Sequence, residues 1–209
     1  MIEIENIKNK PIDSNCYVIS DSDSTKCIVV DPGTENCLEL MDFLLEKNLK
    51  IEFIFLTHEH FDHIWGCNYL KEKFECLIVC SEICSNHIIS AKKNLSVFFN
   101  QIGFENSKAD ILLESVNWKL NWNHNEISFF NTPGHSNGSI CFSIGNNLFT
   151  GDTMIKGLKT VTKIIGGNKN SLEESLNLIF LKCDENTIVY PGHGDVFSLK
   201  ETTIQDFMS

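Results

Sequence analysis

The sequence predicts an α/β protein in which two β-sheets share one core and helices lie outside them. Strand-like runs fall into groups with helical patterns between the groups. A length of 209 residues with 42% hydrophobic and 22% charged residues suits one ordinary globular domain, 1–209. The longest apolar runs, such as 51–56 with Glu52 inside, are too short to span a bilayer.

Each element has its own signal. Ile2 to Ile7, Cys16 to Ser20 and Cys27 to Asp31 read as strands, with turn clusters at Asp13-Ser14-Asn15 and Asp21-Ser22-Asp23-Ser24. Pro32-Gly33 breaks the pattern. Thr34 is the expected cap of a helix whose Leu38, Met41, Leu45 and Leu49 share a face. The buried strand IEFIFLT follows, then a short helix from Cys67 to Phe74, a strand over Cys76 to Cys80 and a helix from about Ser81 to Ala91. Between His87 and Asp110 lie Leu95, Val97, Phe98, Phe99, Ile102 and Phe104. This segment reads either as a helix with an apolar core face or as a lid whose aromatic side chains line a pocket.

The second half repeats the grammar. Ile111 to Val116, Lys119 to Trp122, Ile127 to Asn131, Ser139 to Ile144 and Leu148 to Thr150 read as strands. A helix over Ser171 to Leu181, a strand over Thr187 to Tyr190 and a short terminal helix complete the chain. No linker or low-complexity tract interrupts it.

Charge and cysteine usage narrow the function. Twenty-eight acidic residues face 17 basic ones, all lysine, for a net charge of -11. DNA and RNA binding relies on a cationic face with arginine as its main base reader, so no nucleic-acid partner is expected. No membrane partner is expected either, and acids at the N-terminus do not fit a signal peptide. The nine cysteines are odd in number and contain no CxxC pair, so they read as buried packing thiols of a soluble cytoplasmic protein. On this reading Cys76, Cys80 and Cys84 do not converge.

Four turns carry the chemistry. Thr57-His58-Glu59-His60-Phe61-Asp62-His63 follows a buried strand, where side chains two apart point the same way, so His58 and His60 can converge on one ion. Asp62 and His63, at the start of the next helix, can address a second point nearby. Thr132-Pro133-Gly134-His135-Ser136, Phe149-Thr150-Gly151-Asp152-Thr153 and Tyr190-Pro191-Gly192-His193-Gly194 each deliver one more ligand type on a glycine turn after a strand. Burying so many titratable groups together is costly unless a cation compensates. Five histidines and two aspartates at strand ends describe a two-metal site with a bridging carboxylate. His87 and His124 fit none of these turns and read as surface residues.

HxHxDH followed by PGHS, GD and PGHG in this order resembles the metallo-β-lactamase superfamily, and Val30-Asp31-Pro32-Gly33 is similar to its first motif. The resemblance runs from about Asn15 to Asp195. It implies a four-layer αββα sandwich of two mixed β-sheets with helices outside, and the site at one edge between the sheets. It further implies that His58, His60 and His135 hold one divalent ion, that Asp62, His63 and His193 hold another, and that Asp152 bridges them. Zinc is expected, and iron and manganese suit the same donors. Hydrolysis by a bridging hydroxide is implied, with Asp62 also orienting the water and Asp31 and Thr57 fixing ligand orientation.

Within the superfamily, Asn15-Cys16-Tyr17-Val18, TPGHSNGSICFSI, LFTGDTMIKG and GGNKNSLEESL before YPGHG resemble the shorter glyoxalase II-like group. That likeness implies a thioesterase acting on a small-molecule substrate. The absence of arginine and the end of the chain 16 residues after His193 depart from the glutathione-holding pattern, so weak preference for glutathione is expected. A lactonase, a mononuclear-iron persulfide dioxygenase and a non-catalytic metal-bound binding domain are the alternatives. The two-zinc β-lactamases that share this motif order carry cysteine where Asp152 stands, which disfavours antibiotic hydrolysis.

Overall fold

The computed structural model describes residues 1–113 and 118–208. It contains two six-stranded sheets, each mixed. In the first, β1 (Ile2–Lys8), β2 (Asn15–Asp21) and β3 (Lys26–Val30) are antiparallel neighbours, while β3, β4 (Lys50–Phe55), β5 (Leu77–Ser81) and β6 (Ile111–Leu113) run parallel. The second sheet holds β7 (Lys119–Trp122), β8 (Asn125–Asn131), β9 (Ile140–Ile144), β10 (Asn147–Gly151), β11 (Ile188–Pro191) and β12 (Phe197–Ser198) in order 12-11-10-9-8-7, with β10 and β11 parallel. The expected strand over Ile111 to Val116 ends, among the described residues, at Leu113; its remainder lies outside them.

Alternating side chains build three apolar layers, and these define the αββα sandwich. Along β2 and β3, Cys16, Val18, Cys27 and Val29 point to one side, where they meet Leu40 and Leu44 of α1 (Leu38–Glu46) and Cys67 and Leu70 of α3 (Cys67–Phe74). Tyr17, Ile19, Ile28 and Val30 point to the other side and meet Phe129, Phe142 and Phe149 of the second sheet. On that sheet's outer face, Cys141, Leu148 and Val189 pack against Leu172, Leu176 and Ile179 of α6 (Lys169–Lys182). The period of two in a strand thus feeds two cores at once, which is why these strands read as almost continuously apolar.

Three local expectations are corrected. Thr34 does not cap α1: its hydroxyl accepts the Lys10 N–H at 2.7 Å, and the helix starts after Cys37, whose φ is 47°. With that start the inward face carries Leu40 and Leu44, and Leu38 and Leu45 are exposed. The helix expected from Ser81 to Ala91 is the shorter α4 (Glu82–Ile88), although Ser81 does cap it by accepting the Cys84 N–H at 3.1 Å. The segment after it holds only one turn-sized helix, α5 (Ser96–Asn100), in place of a long core helix.

All nine cysteines are free thiols, and eight are buried. Burial pushes the Cys27, Cys37 and Cys141 thiols up to about 12, so they pack as neutral groups. Against expectation two of the three sulfurs do meet: Cys84 of α4 lies against Cys80 of β5, and burial, then that neighbouring thiol, raises its own.

Candidate metal centre

The site lies where strands end. Asp31 follows β3, and Thr57 to His60 follow β4, whose chain then enters α2 (Phe61–Ile64). On the facing sheet His135 follows β8, Asp152 follows β10 and His193 follows β11. Carboxyl ends of neighbouring parallel strands leave their loops at the same edge, and both sheets do so here. The sheets are pinned together at this edge by the Asn15 N–H donating to the Gly192 carbonyl at 2.7 Å and by the Tyr17 hydroxyl donating to the Pro191 carbonyl at 2.7 Å.

The seven expected ligands converge in two groups. One donor atom each of His58, His60 and His135 lie within 4.8 Å of one another, as do those of Asp62, His63 and His193. The Nε2 of His135 is 3.0 Å from the Nδ1 of His60. Asp152 faces both groups: its Oδ1 is 3.5 Å from His63 Nε2, and its Oδ2 is 3.6 Å from His135 Nε2 and 3.7 Å from His193 Nε2. Asp62 Oδ2 stands 3.2 Å from His193 Nε2 and 3.6 Å from His63 Nε2.

Asp31 also lies close to His58 and His63, yet its oxygens are already engaged. Oδ1 accepts the Thr57 N–H at 2.8 Å, and Oδ2 accepts the Thr57 hydroxyl at 2.6 Å and faces His63 Nδ1 at 3.0 Å. Thr57 Oγ1, its only proton given to Asp31, can only accept from His58 Nδ1 at 3.1 Å. The Val161 carbonyl likewise accepts from His135 Nδ1 at 3.0 Å. His58, His63 and His135 therefore each carry a proton on Nδ1 and turn Nε2 inward. The Nε2 atoms of His58 and His63 and Oδ1 of Asp152 are buried without a hydrogen-bond partner. Orphaned buried polar atoms are rare, and a cation at these points would satisfy them.

The electrostatics follow from the packing. Burial, then the charge of neighbouring imidazoles, holds His58 well below the usual histidine range and His60 at about 4. Burial lowers His63 as well, but Asp62, Asp152 and Asp31 outweigh it and raise that imidazole to about 10. For Asp62, burial pushes the carboxyl up, and His63 and His193 overcome this and keep it well below the carboxylate range. Neutral His58 and His60 and ionised Asp62 are already in the form that binds a divalent ion, whereas His63 must release a proton to do so.

Two glycines are required by close approach. A Cβ on Gly192 would stand 2.2 Å from Asp152 Oδ1, and one on Gly33 would stand 1.6 Å from the Asp62 carbonyl oxygen. The same carbonyl accepts the Ser14 hydroxyl at 2.6 Å, and Ser14 is in turn held by the Asn9 side chain at 2.9 Å. Neither Asn9 nor Ser14 stands out in the sequence, since each looks like an ordinary turn residue.

One expected surface residue belongs to the site's support. His87 is only 20% exposed at its side chain, and its Nδ1 lies 2.9 Å from Oε1 of the buried Glu59. Glu59 Oε2 accepts the Ser136 hydroxyl at 2.9 Å. The carboxylate between His58 and His60 thus reaches the turn that carries His135. His124 is exposed, as expected, on a turn with φ 63°.

With the fold and site in place, the comparisons agree. The model of the metallo-beta-lactamase superfamily matches residues 9–193, and the chain belongs to that superfamily. The probable metallo-hydrolase YqgX of Bacillus subtilis is 32% identical over 186 residues, covering 88% of this chain and 86% of that protein. The probable polyketide biosynthesis zinc-dependent hydrolase PksB of the same organism is 28% identical, covering 85% of this chain and 72% of PksB. Among solved structures, the BLEG-1 B3 metallo-β-lactamase superposes with a TM-score of 0.88 at 28% identity and covers 95% of each chain. These relatives place the chain among metallo-hydrolases. Among the described residues no helix is long and apolar enough to cross a membrane.

Proposed function

We propose that the protein is a dinuclear metal-dependent hydrolase of small thioesters that works in the cytoplasm. The observation that carries the reading is Asp152, whose two oxygens address both histidine groups. His58, His60 and His135 would hold one divalent ion, and Asp62, His63 and His193 the other. Zinc fits the donor set and is the metal of the related zinc-dependent hydrolase PksB. Bound there, the ions would polarise the carbonyl and lower the pKa of a water. Asp62 stays ionised and offers Oδ2 to orient or accept a proton from a water beside it. Thr57, Asp31 and Val161 keep the imidazole protons on Nδ1 throughout. A thiolate leaves without a dedicated acid, since its conjugate acid has a pKa near ~8.5, which suits a site with no further proton donor assigned. The nine free thiols fit a reducing compartment.

Substrate recognition follows from composition. A charged tripeptide such as glutathione is best held by the arginine fork, and the sequence has no arginine. The test compares S-lactoylglutathione with a lactoyl thioester of a small neutral thiol on zinc-, manganese- and iron-loaded protein. The expected difference in kcat/KM is below roughly tenfold, or about 1.4 kcal/mol. A preference of a thousandfold or more for the glutathione ester would contradict the reading of substrate choice, and no turnover of either would contradict the reading of the reaction. A second reading, β-lactam hydrolysis, is favoured by the likeness to BLEG-1. A cephalosporin assay on the same preparations separates the two.

A further inference from the structure

Exposed apolar side chains on a monomer surface are ordinary when scattered. Among the described residues, six of the thirteen exposed large ones stand on two segments attached to the turns that carry the histidines and Asp152. The first segment carries Phe98, Phe99 and Ile102, which are 66%, 39% and 86% exposed. The Phe99 ring stacks on Phe61 at 4.8 Å, and Phe61 sits between His60 and Asp62. The second segment follows Asp152 and exposes Leu158, Val161 and Ile165, each by more than half. Its Val161 carbonyl is the group that orients His135.

The first segment is held in place. The Phe61 N–H donates to the Asn94 carbonyl at 2.9 Å, and the Asn94 side chain donates to the Phe104 carbonyl at 2.8 Å. Trp65 stacks on Phe104 at 5.2 Å and meets Phe99 edge-on at 5.7 Å. On the second segment, Lys156 pairs with Glu201, and Lys159 donates to the Gln205 carbonyl. Two of its cations are therefore turned to the protein's own groups while its aliphatic side chains face solvent. Apolar side chains on held segments tied to the turns of a polar site are placed to receive a group polar at one end and apolar at the other.

We propose that these side chains seat an apolar acyl arm of the substrate, so that the enzyme prefers medium-chain over short-chain acyl groups. The inference rests on the thioester reading above. A half-open seat yields about a twofold gain for each added methylene, less than full burial would. From butyryl to octanoyl, four methylenes, kcat/KM should rise about sixteenfold on that basis.

The experiment uses butyryl and octanoyl thioesters of one small neutral thiol on the zinc-loaded protein, with Phe99→Ser and the double variant Phe98→Ser, Ile102→Ser. The double variant leaves the Phe61 stack intact. The octanoyl-to-butyryl ratio should fall below threefold in either variant. Calorimetry with octanoate and butyrate on the same proteins reads binding without turnover, and wild type should hold octanoate about sixteenfold tighter. Turnover with equal kcat/KM for both chains would overturn the seat and leave the thioester reading standing. No turnover, with octanoate still preferred by wild type and not by the variants, would keep the seat and remove the thioester reading. A flat profile with a dimer that the substitutions dissolve would assign the patch to a second copy of the chain and overturn the seat. Neither turnover nor binding would overturn both.

Discussion

Glu59 Oε1 and His87 Nδ1 lie 2.9 Å apart, linking the histidine-bearing turn after β4 to helix α4. Burial pushes the Glu59 carboxyl up, but His87, the nearby His60 and the Ser136 hydroxyl outweigh it and hold it below its ordinary value. Glu59 is 2% exposed, so losing a partner leaves a desolvated oxygen. His87→Ala should therefore cost about 1–3 kcal/mol of stability. Urea unfolding of both proteins checks this, and equal midpoints and slopes would show that the contact contributes nothing.

Thr57→Val keeps the shape of the side chain and removes the oxygen between Asp31 and His58. Affinity for cobalt or zinc should drop about 10- to 100-fold, because the imidazole loses the group that fixes its tautomer. A chelator-competition titration measures it. Unchanged affinity would mean that the tautomer is set elsewhere.

Gly192→Ala would place a methyl group against Asp152 Oδ1 and His63 Cε1, at 2.2 and 2.8 Å. The carboxylate is the softer neighbour and must move. Metal content and hydrolysis should both fall, by tenfold or more in rate, with the fold retained by circular dichroism. A variant as active as wild type would show that Asp152 has room to spare.

The chelated protein should also show a pH dependence of fixed sign. With the side chains alone, burial lowers His63 but its carboxylate neighbours raise it to about 10. A raised histidine contributes stability that is fully present below its unfolded value, near 6.5, and lost as pH rises towards 10. Denaturation of the chelated protein should show falling stability from pH 6.5 to 9. Metal affinity should rise across the same window, because the ion needs the deprotonated Nε2. Stability that climbs with pH in the chelated protein would contradict the carboxylate cluster around His63.

Much of this was legible in the sequence because strands encode themselves in a period of two and because ligands sit at their ends. The turns after β4, β8, β10 and β11 bring the seven residues together, and Asp31 and Thr57 lie within hydrogen-bond distance of His63 and His58. The face of α1 was not legible. Leu38 and Leu45 lie on a helical stripe, and only the left-handed turn at Cys37 shows that Leu40 and Leu44 face inward. Two-residue β12 is too short to leave a pattern. Glu59 and His87 are 28 residues apart, so their pairing exists only in the folded chain. Asn9 and Ser14 support Asp62 through contacts of the same long-range kind.

The proposed role of Asp152, one carboxylate joining two ion-binding groups, is tested by the metal content per chain of wild type and Asp152→Ala, purified without chelator and read by mass spectrometry. About two ions are expected in wild type, with loss from both positions in the variant, because Asp152 faces His63, His135 and His193 together. A wild type that binds no metal, or a variant that keeps the full complement, would contradict it.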